Sequence, residues 1–170
     1  MGELKDLSQH EAIKKMKEVA EKIRLCMFCT EVEGLPFNVR PMGTQQVDDE
    51  GNFWFFSSKT SHKNEEIKEN SLVQLLYSDE GNAVFMSVYG HATELHDRQK
   101  IEELWNPLVK TWFKEGKDDP NLTVIKVKPV EGYYWDTQHH KMVAFLKMIA
   151  SAVSGKTNLD DGRQGNLNVN

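Results

Sequence analysis

The chain has 170 residues, which is enough for one domain with a real core and too few for two ordinary ones. Charged residues make up 28% of it, and no apolar run approaches the ~20 residues that span a bilayer, so no membrane partner is expected. A formal net charge of −5 without a basic cluster argues against nucleic acid. The opening MGELKDLSQHEAIKK lacks the apolar centre of a secretory signal, so a cytoplasmic location is expected.

Ser8-Gln9-His10-Glu11 fits a capping box, which predicts a helix starting there. Ile13, Met16, Val19, Ala20 and Ile23 then recur at spacings of three and four and form one apolar stripe. After Arg24 the pattern changes to short strands. Glu33-Gly34, Asp48-Asp49-Glu50-Gly51-Asn52 and Asp79-Glu80-Gly81-Asn82 read as hairpin turns between them. Strands are expected near 25–32, 36–47, 52–57, 72–78, 83–95 and 122–135. Six strands joined mostly by tight turns suggest an antiparallel sheet closed into a barrel, in a mainly β fold with flanking helices.

A short helix is expected at about 61–69. A second, capped by Asp97, should put Ile101, Leu104, Trp105, Leu108, Trp112 and Phe113 on one broad face up to Gly116, kinked or split at Pro107. A last helix is expected around 139–152. The domain is therefore read as 1–153, followed by a polar tail, 154–170, that is extended over a neighbour or disordered.

Cys26 and Cys29 form a C-x-x-C pair, but residues three apart on a strand face opposite ways, so the two sulfurs cannot share a metal. They are read as ordinary structural cysteines. His91, His96, His139 and His140 follow no short metal motif, and no metal site is expected. No nucleophile elbow, P-loop or dinucleotide fingerprint supports a hydrolase or nucleotide-triphosphatase. The acidic run 48–50 is expected simply to solvate a turn.

The stretch FFSSKTSHKNEEIKEN, residues 55–70, passes from an apolar strand through small polar and basic residues into a helix. It is either a capped, solvated loop or a pocket for an anionic phosphate. Several segments bear on the choice: Val39-Arg40-Pro41-Met42, Phe53-Trp54-Phe55-Phe56-Ser57, Ser61-His62-Lys63 with Glu66-Ile67 and Asn70, Tyr89-Gly90-His91-Ala92, Leu104-Trp105-Asn106-Pro107 with Trp112-Phe113, and Tyr134-Trp135-Asp136. In this order and spacing the chain, from about Lys14 to Thr157, resembles the flavin-binding split barrels related to pyridoxamine 5'-phosphate oxidase, and among them the general stress protein 26 group.

The resemblance implies a six-stranded split β-barrel that binds FMN as a homodimer, with the flavin sites at the subunit interface. A phosphate dianion is best held by cations, hydroxyls and the amides of a helix N-terminus. Thr60, Ser61, His62 and Lys63 stand where such a helix is expected. The related oxidases carry an Arg-Lys pair at this turn; Lys63 matches its second position, and His62 replaces the arginine and is expected to make phosphate binding more sensitive to pH.

Arg40, Pro41 and Met42 match the strand beside the flavin, with Arg40 the candidate for the polar edge of the ring. Phe56 and Ser57 match the next strand along the cofactor, and Trp135 falls where a tryptophan of the other subunit approaches the ring. Trp105 and Trp112 are read as core or dimer packing.

The related oxidases grip their substrate's phosphate with an Arg-x-His motif after the tryptophan. This chain has Asp136-Thr137-Gln138-His139-His140-Lys141 there, so vitamin B6 oxidation is not expected. Two functional readings follow: a flavin-dependent oxidoreductase using a nicotinamide donor, or a flavin-binding carrier or sensor without turnover. A third is a barrel that is empty or holds another ligand, such as haem or a deazaflavin.

Overall fold

The computed structural model describes residues 3–4, 6–137 and 162–168. The helix expected around 139–152 lies outside the described residues. In chain order the elements are β1 (Glu3–Leu4), α1 (Gln9–Ile23), β2 (Leu25–Thr30), β3 (Asn38–Val47), β4 (Phe53–Ser58), α2 (His62–Glu69), β5 (Leu72–Asp79), β6 (Val84–Leu95), α3 (Arg98–Leu104), two 3-10 turns (Pro107–Thr111 and Gly116–Asp118), β7 (Leu122–Thr137) and β8 (Gly162–Asn168).

Strands β2 to β7 close into the expected barrel. The order is β7-β4-β3-β2-β5-β6, with β6 pairing back onto β7, and every one of these pairings is antiparallel. Closure leaves none of the six with an unpaired edge. A register shift at Tyr89/Gly90 marks where β6 bends along β7. A Cβ on Gly90 would stand 2.4 Å from the carbonyl oxygen of Lys128, so only glycine permits that approach.

Seven residues of the segment read as a polar tail, Gly162–Asn168, instead form β8, antiparallel to the far half of β7, and β1 lies parallel on β8. Leu167 is fully buried there.

The barrel interior is filled. Phe28, Phe53, Phe55, Leu75, Met86, Val88, Ile125 and Val127 are within 1% of complete burial, and Phe28 meets Phe55 edge-on at 5.3 Å between ring centroids. Among the described residues these side chains form one packed cluster along the barrel axis. The apolar stripe of α1 closes the interior from one side through Ala12, Met16, Val19 and Ala20. Ser8 is the N-cap of α1, but its hydroxyl donates to the Glu11 carboxylate at 3.0 Å and makes no bond to a backbone amide, so the two side chains pair with each other in place of the anticipated capping box.

Residues of β4 alternate between the interior and a second, smaller core on the outer face. Trp54 and Phe56 point outward and pack with Ile101, Leu104, Val109, Phe113, Leu122 and Val124. The apolar run after Asp97 is split at Pro107, as anticipated. Asn106 is extended, as the residue before proline prefers, and Pro107 opens a 3-10 turn. The α-helix itself stops at Leu104, well short of Gly116.

Asp48 does more than solvate a turn. Its carboxylate accepts from the backbone amides of Glu50 and Asn52, from the Asn52 side chain, and from Trp54 Nε1 at 2.8 Å, tying the β3–β4 hairpin to the outer core. Burial raises its pKa, but these donors outweigh it and hold the carboxyl below its ordinary value.

The two cysteines are free and buried. Cys26 belongs to the interior cluster and Cys29 does not, as opposite strand faces require. Burial pushes the Cys26 thiol up to about 12, against hydrogen bonds from Tyr77 and Thr44, so it is unreactive near neutral pH. Among the described residues no three His, Cys, Asp or Glu side chains converge on a metal position, and no helix is long and apolar enough to cross a membrane.

Candidate functional site

A groove of about 680 Å³ runs along the outside of the barrel. Strands β3 and β4 supply Pro41, Met42, Gly43, Gln45, Phe56 and Ser57, and the segment after α3 supplies Val109, Trp112 and Phe113 as the opposite wall. Ser58, Ser61 and Lys63 close one end, with Asp119 and Asn121 beside them. The Lys59 amide donates to the Asn121 carbonyl at 2.7 Å, fixing this second wall to the turn before α2. The far end reaches Leu25, which is exposed.

Helix α2 carries the charged end. It has only eight residues, too few to be stable alone, so its position comes from tertiary bonds. On one side Glu66 accepts from Thr30 Oγ1, Asn38 Nδ2 and Arg40 Nη2, tying α2 to β2 and β3. On the other, Glu94 of β6 accepts from Asn64 at 2.6 Å and Lys68 at 2.8 Å. Burial raises both carboxyls, but the bonds from Thr30 and Arg40 to Glu66, and from Lys68 and Asn64 to Glu94, leave both below the ordinary value.

Ser61, the N-cap residue, makes no capping bond with its side chain; its hydroxyl accepts from Lys63 Nζ at 2.9 Å. Lys63 is half-buried. Desolvation lowers its pKa most, the neighbouring Arg40 charge lowers it further, and Glu66 and Glu94 oppose, leaving it at about 8. The groove therefore ends at a partly desolvated ammonium, two hydroxyls and the positive end of a helix, which together suit a compact anion.

Of the residues expected at a site from the sequence, Pro41, Met42, Phe56, Ser57, Ser61 and Lys63 come together in this groove. Arg40 does not line it. Its guanidinium bonds Thr30 and Glu66, and its charge acts on Lys63, so it stands behind the anion end. The side chain of His62 is 94% exposed beside Glu65, outside the groove. Trp135 lies on β7, half exposed and stacked against Tyr133 at 4.6 Å between centroids, also outside the groove of its own chain.

Trp105 packs edge-on against Phe56, as a core residue would. Trp112, also read as packing, is 75% exposed and lines the groove. Sequence reasoning does not find Gln45, Asp119 and Asn121, because nothing local pairs Gln45 with Asn106 at 2.9 Å or brings the 119–121 segment to the turn before α2.

A closed six-stranded antiparallel barrel with a groove on its outer face defines the class of protein. The model of the family described as "Pyridoxamine 5'-phosphate oxidase like" matches residues 11–160, so the chain belongs to that family. It is 36% identical over 76 residues to general stress protein 26 of Bacillus subtilis (strain 168), covering 43% of this chain and 54% of that one. It is 27% identical over 88 residues to protein bli-3 of Neurospora crassa, covering 47% and 42%. The chain thus spans about half the length of these relatives.

Among solved structures, a putative general stress protein 26 from Jannaschia sp. CCS1 superposes with a TM-score of 0.70 at 25% identity, over 92% of this chain and 95% of that one. The general stress FMN/FAD binding protein of Xanthomonas citri superposes with a TM-score of 0.66 at 27% identity, over 78% and 92%.

Proposed function

We propose that the chain is an FMN-binding protein of the general-stress type that works as a flavin-dependent oxidoreductase with a nicotinamide donor, and not as a pyridoxamine phosphate oxidase. The observation that carries this reading is an apolar groove of about 680 Å³ ending at Lys63 and Ser61 on the start of α2, with Arg40 behind them. That volume lies within the ~300–1,000 Å³ usual for small-molecule sites. The donor set also fits FMN, with cation and hydroxyls for the phosphate and Met42, Phe56, Val109, Trp112 and Phe113 as apolar walls for a flat ring.

When bound, FMN supplies hydride and electron transfer. The chain's own residues hold the phosphate, exclude water along the Phe56 wall and orient the ring. The Xanthomonas citri protein, described as FMN/FAD binding, supports the cofactor class.

The groove also favours a second reading, a carrier or sensor. Among the described residues its titratable lining side chains are Lys63 and Asp119, both at the anion end, and none of those along the apolar walls is an acid or base. Steady-state oxidation of NADH or NADPH separates the two. FMN-loaded protein is expected to turn over well above the same concentration of free FMN, and a rate equal to free FMN would leave binding without catalysis.

The reading includes a homodimer with shared sites. Leu25, Met27, Leu76, Phe85 and Trp135 leave an exposed apolar face on the barrel, in which Met27 pairs with Leu76 and Phe85 with Trp135. Leu25 belongs both to this face and to the groove, so a second copy seated there would complete the site. Sedimentation at micromolar protein is expected to give a dimer, and a monomer would count against shared sites.

FMN affinity is also expected to depend on pH through Lys63. Below its pKa of about 8 the ammonium is charged and its attraction for the phosphate dianion is fully present; above it the attraction is lost. The FMN dissociation constant should be flat from about pH 7 to 7.5 and rise beyond 8, and Lys63→Met should flatten the profile. A profile unchanged by that substitution would place the phosphate elsewhere.

A further inference from the structure

Asn64 is the third residue of α2 and is completely buried. It makes four hydrogen bonds, three through its side-chain amide and one through its backbone N–H. Nδ2 donates to the Ser58 carbonyl at 3.1 Å and to Glu94 Oε1 at 2.6 Å, Oδ1 accepts from Ser57 Oγ at 2.7 Å, and its backbone amide donates to the Ser61 carbonyl at 2.9 Å. The orientation of the side chain is determined by its partners. Reversing it would set Oδ1 against two acceptors, the Ser58 carbonyl and the Glu94 carboxylate.

These bonds join three separate elements: the end of β4, the first turn of α2 and β6. Lys63, the residue before Asn64, bonds a single hydroxyl, Ser61 Oγ, among the described residues. The placement of its ammonium at the groove end therefore depends on how firmly the first turn of α2 is held. Lys68, one turn after Asn64, takes the other oxygen of Glu94, so β6 grips α2 at two points on one face. Ser57 gives its proton to Asn64, and its only other acceptor, the Ser58 carbonyl, is 3.4 Å away.

We infer that Asn64 is a positioning residue for the anion end of the groove, holding the Ser57–Ser61 turn and the start of α2 so that Lys63 meets the ligand's phosphate. This rests on the FMN reading above. A fully satisfied buried amide that contacts no ligand but fixes its neighbours is the kind of support that keeps a charged group within a fraction of an ångström of its working place.

Comparing FMN with riboflavin, which lacks the phosphate, isolates the effect. Dissociation constants of both are measured by flavin fluorescence for the wild type, Asn64→Ala, Lys63→Ala and the double variant. Asn64→Ala is expected to weaken FMN binding about tenfold and riboflavin binding less than about twofold, and to add nothing to Lys63→Ala, because residues acting as one unit are not additive. Equal weakening of both flavins, or the same loss with and without Lys63, would make Asn64 a purely structural residue and overturn the inference.

If Asn64→Ala does not fold, Ser57→Ala removes one arm of the same network and reads the same ratio. A loss of about threefold confined to FMN is then expected, and an unchanged ratio overturns the inference. A wild type that binds neither flavin overturns the FMN reading itself, whereas flavin binding without FMN selectivity in the wild type overturns only the anion site.

Discussion

Lys63→Ala is expected to weaken FMN binding by about 1.5–3 kcal/mol, the value of a charge-assisted hydrogen bond, or roughly 10- to 150-fold in dissociation constant. The loss is confined to the phosphate, so riboflavin affinity stays within about twofold of the wild type. The expectation follows from where the structure puts the ammonium: at the closed end of an apolar groove, half-buried, bonded only to a hydroxyl and next to the Arg40 charge. Arg40 is already engaged by Glu66 at 2.9 Å, so among the described residues that line the groove Lys63 is the cation available to a ligand. Titration by fluorescence or calorimetry measures the effect. An FMN dissociation constant unchanged by the substitution would remove Lys63 from the site.

Phe55→Ala is expected to destabilise the fold by about 3–5 kcal/mol, a large part of the roughly 5–15 kcal/mol that holds a domain together. Phe55 is completely buried and meets the equally buried Phe28 edge-on, so truncation leaves a cavity that the closed barrel cannot collapse. Its neighbour Phe56 faces the groove and packs on Trp105, so Phe56→Ala should cost less stability and more affinity. Urea unfolding of the two variants checks this pair of outcomes through the shift in midpoint at constant slope. A loss below about 1 kcal/mol for Phe55→Ala would mean that the interior is not close-packed, and would reopen a ligand site within the barrel.

The barrel was legible because its signals are local. Each hairpin turn carries residues with a turn chemistry of their own, as where Asp48 and Asp79 accept from amides two to four residues on. The strands between them alternate in burial, as in β6. The break at Pro107 was legible for the same reason. Strand β8 was not. Its sequence, GRQGNLN, offers Leu167 as its only large apolar side chain, and its place comes from pairing with β7, some thirty residues earlier in the chain.

The candidate site divides in the same way. Lys63 and Ser61 announce themselves as polar residues at the start of a helix, whereas Pro41, Met42 and Phe56 are reached only through the family resemblance of their segments. The roles of Asn64 and Glu94 depend on contacts across 30 residues, which no local pattern encodes. Trp112 looked like one more member of an apolar helical face. The switch from helix to 3-10 turn after Leu104 rotates it out of that face and into the groove wall, while Val109 and Phe113 remain anchored beneath. His62 and Lys63 are adjacent, yet the turn sends His62 to solvent and Lys63 into the groove, so of the two residues expected at the phosphate only Lys63 lines the groove.

Whether the groove beside α2 takes up FMN is read from the visible absorption spectrum of purified protein after FMN is added and the excess removed by gel filtration. One retained flavin per chain, with bands shifted from those of free FMN, is the expected result for an FMN site there. A protein that emerges without flavin would contradict it, and would return the Ser57–Lys63 turn to a capped, solvated loop.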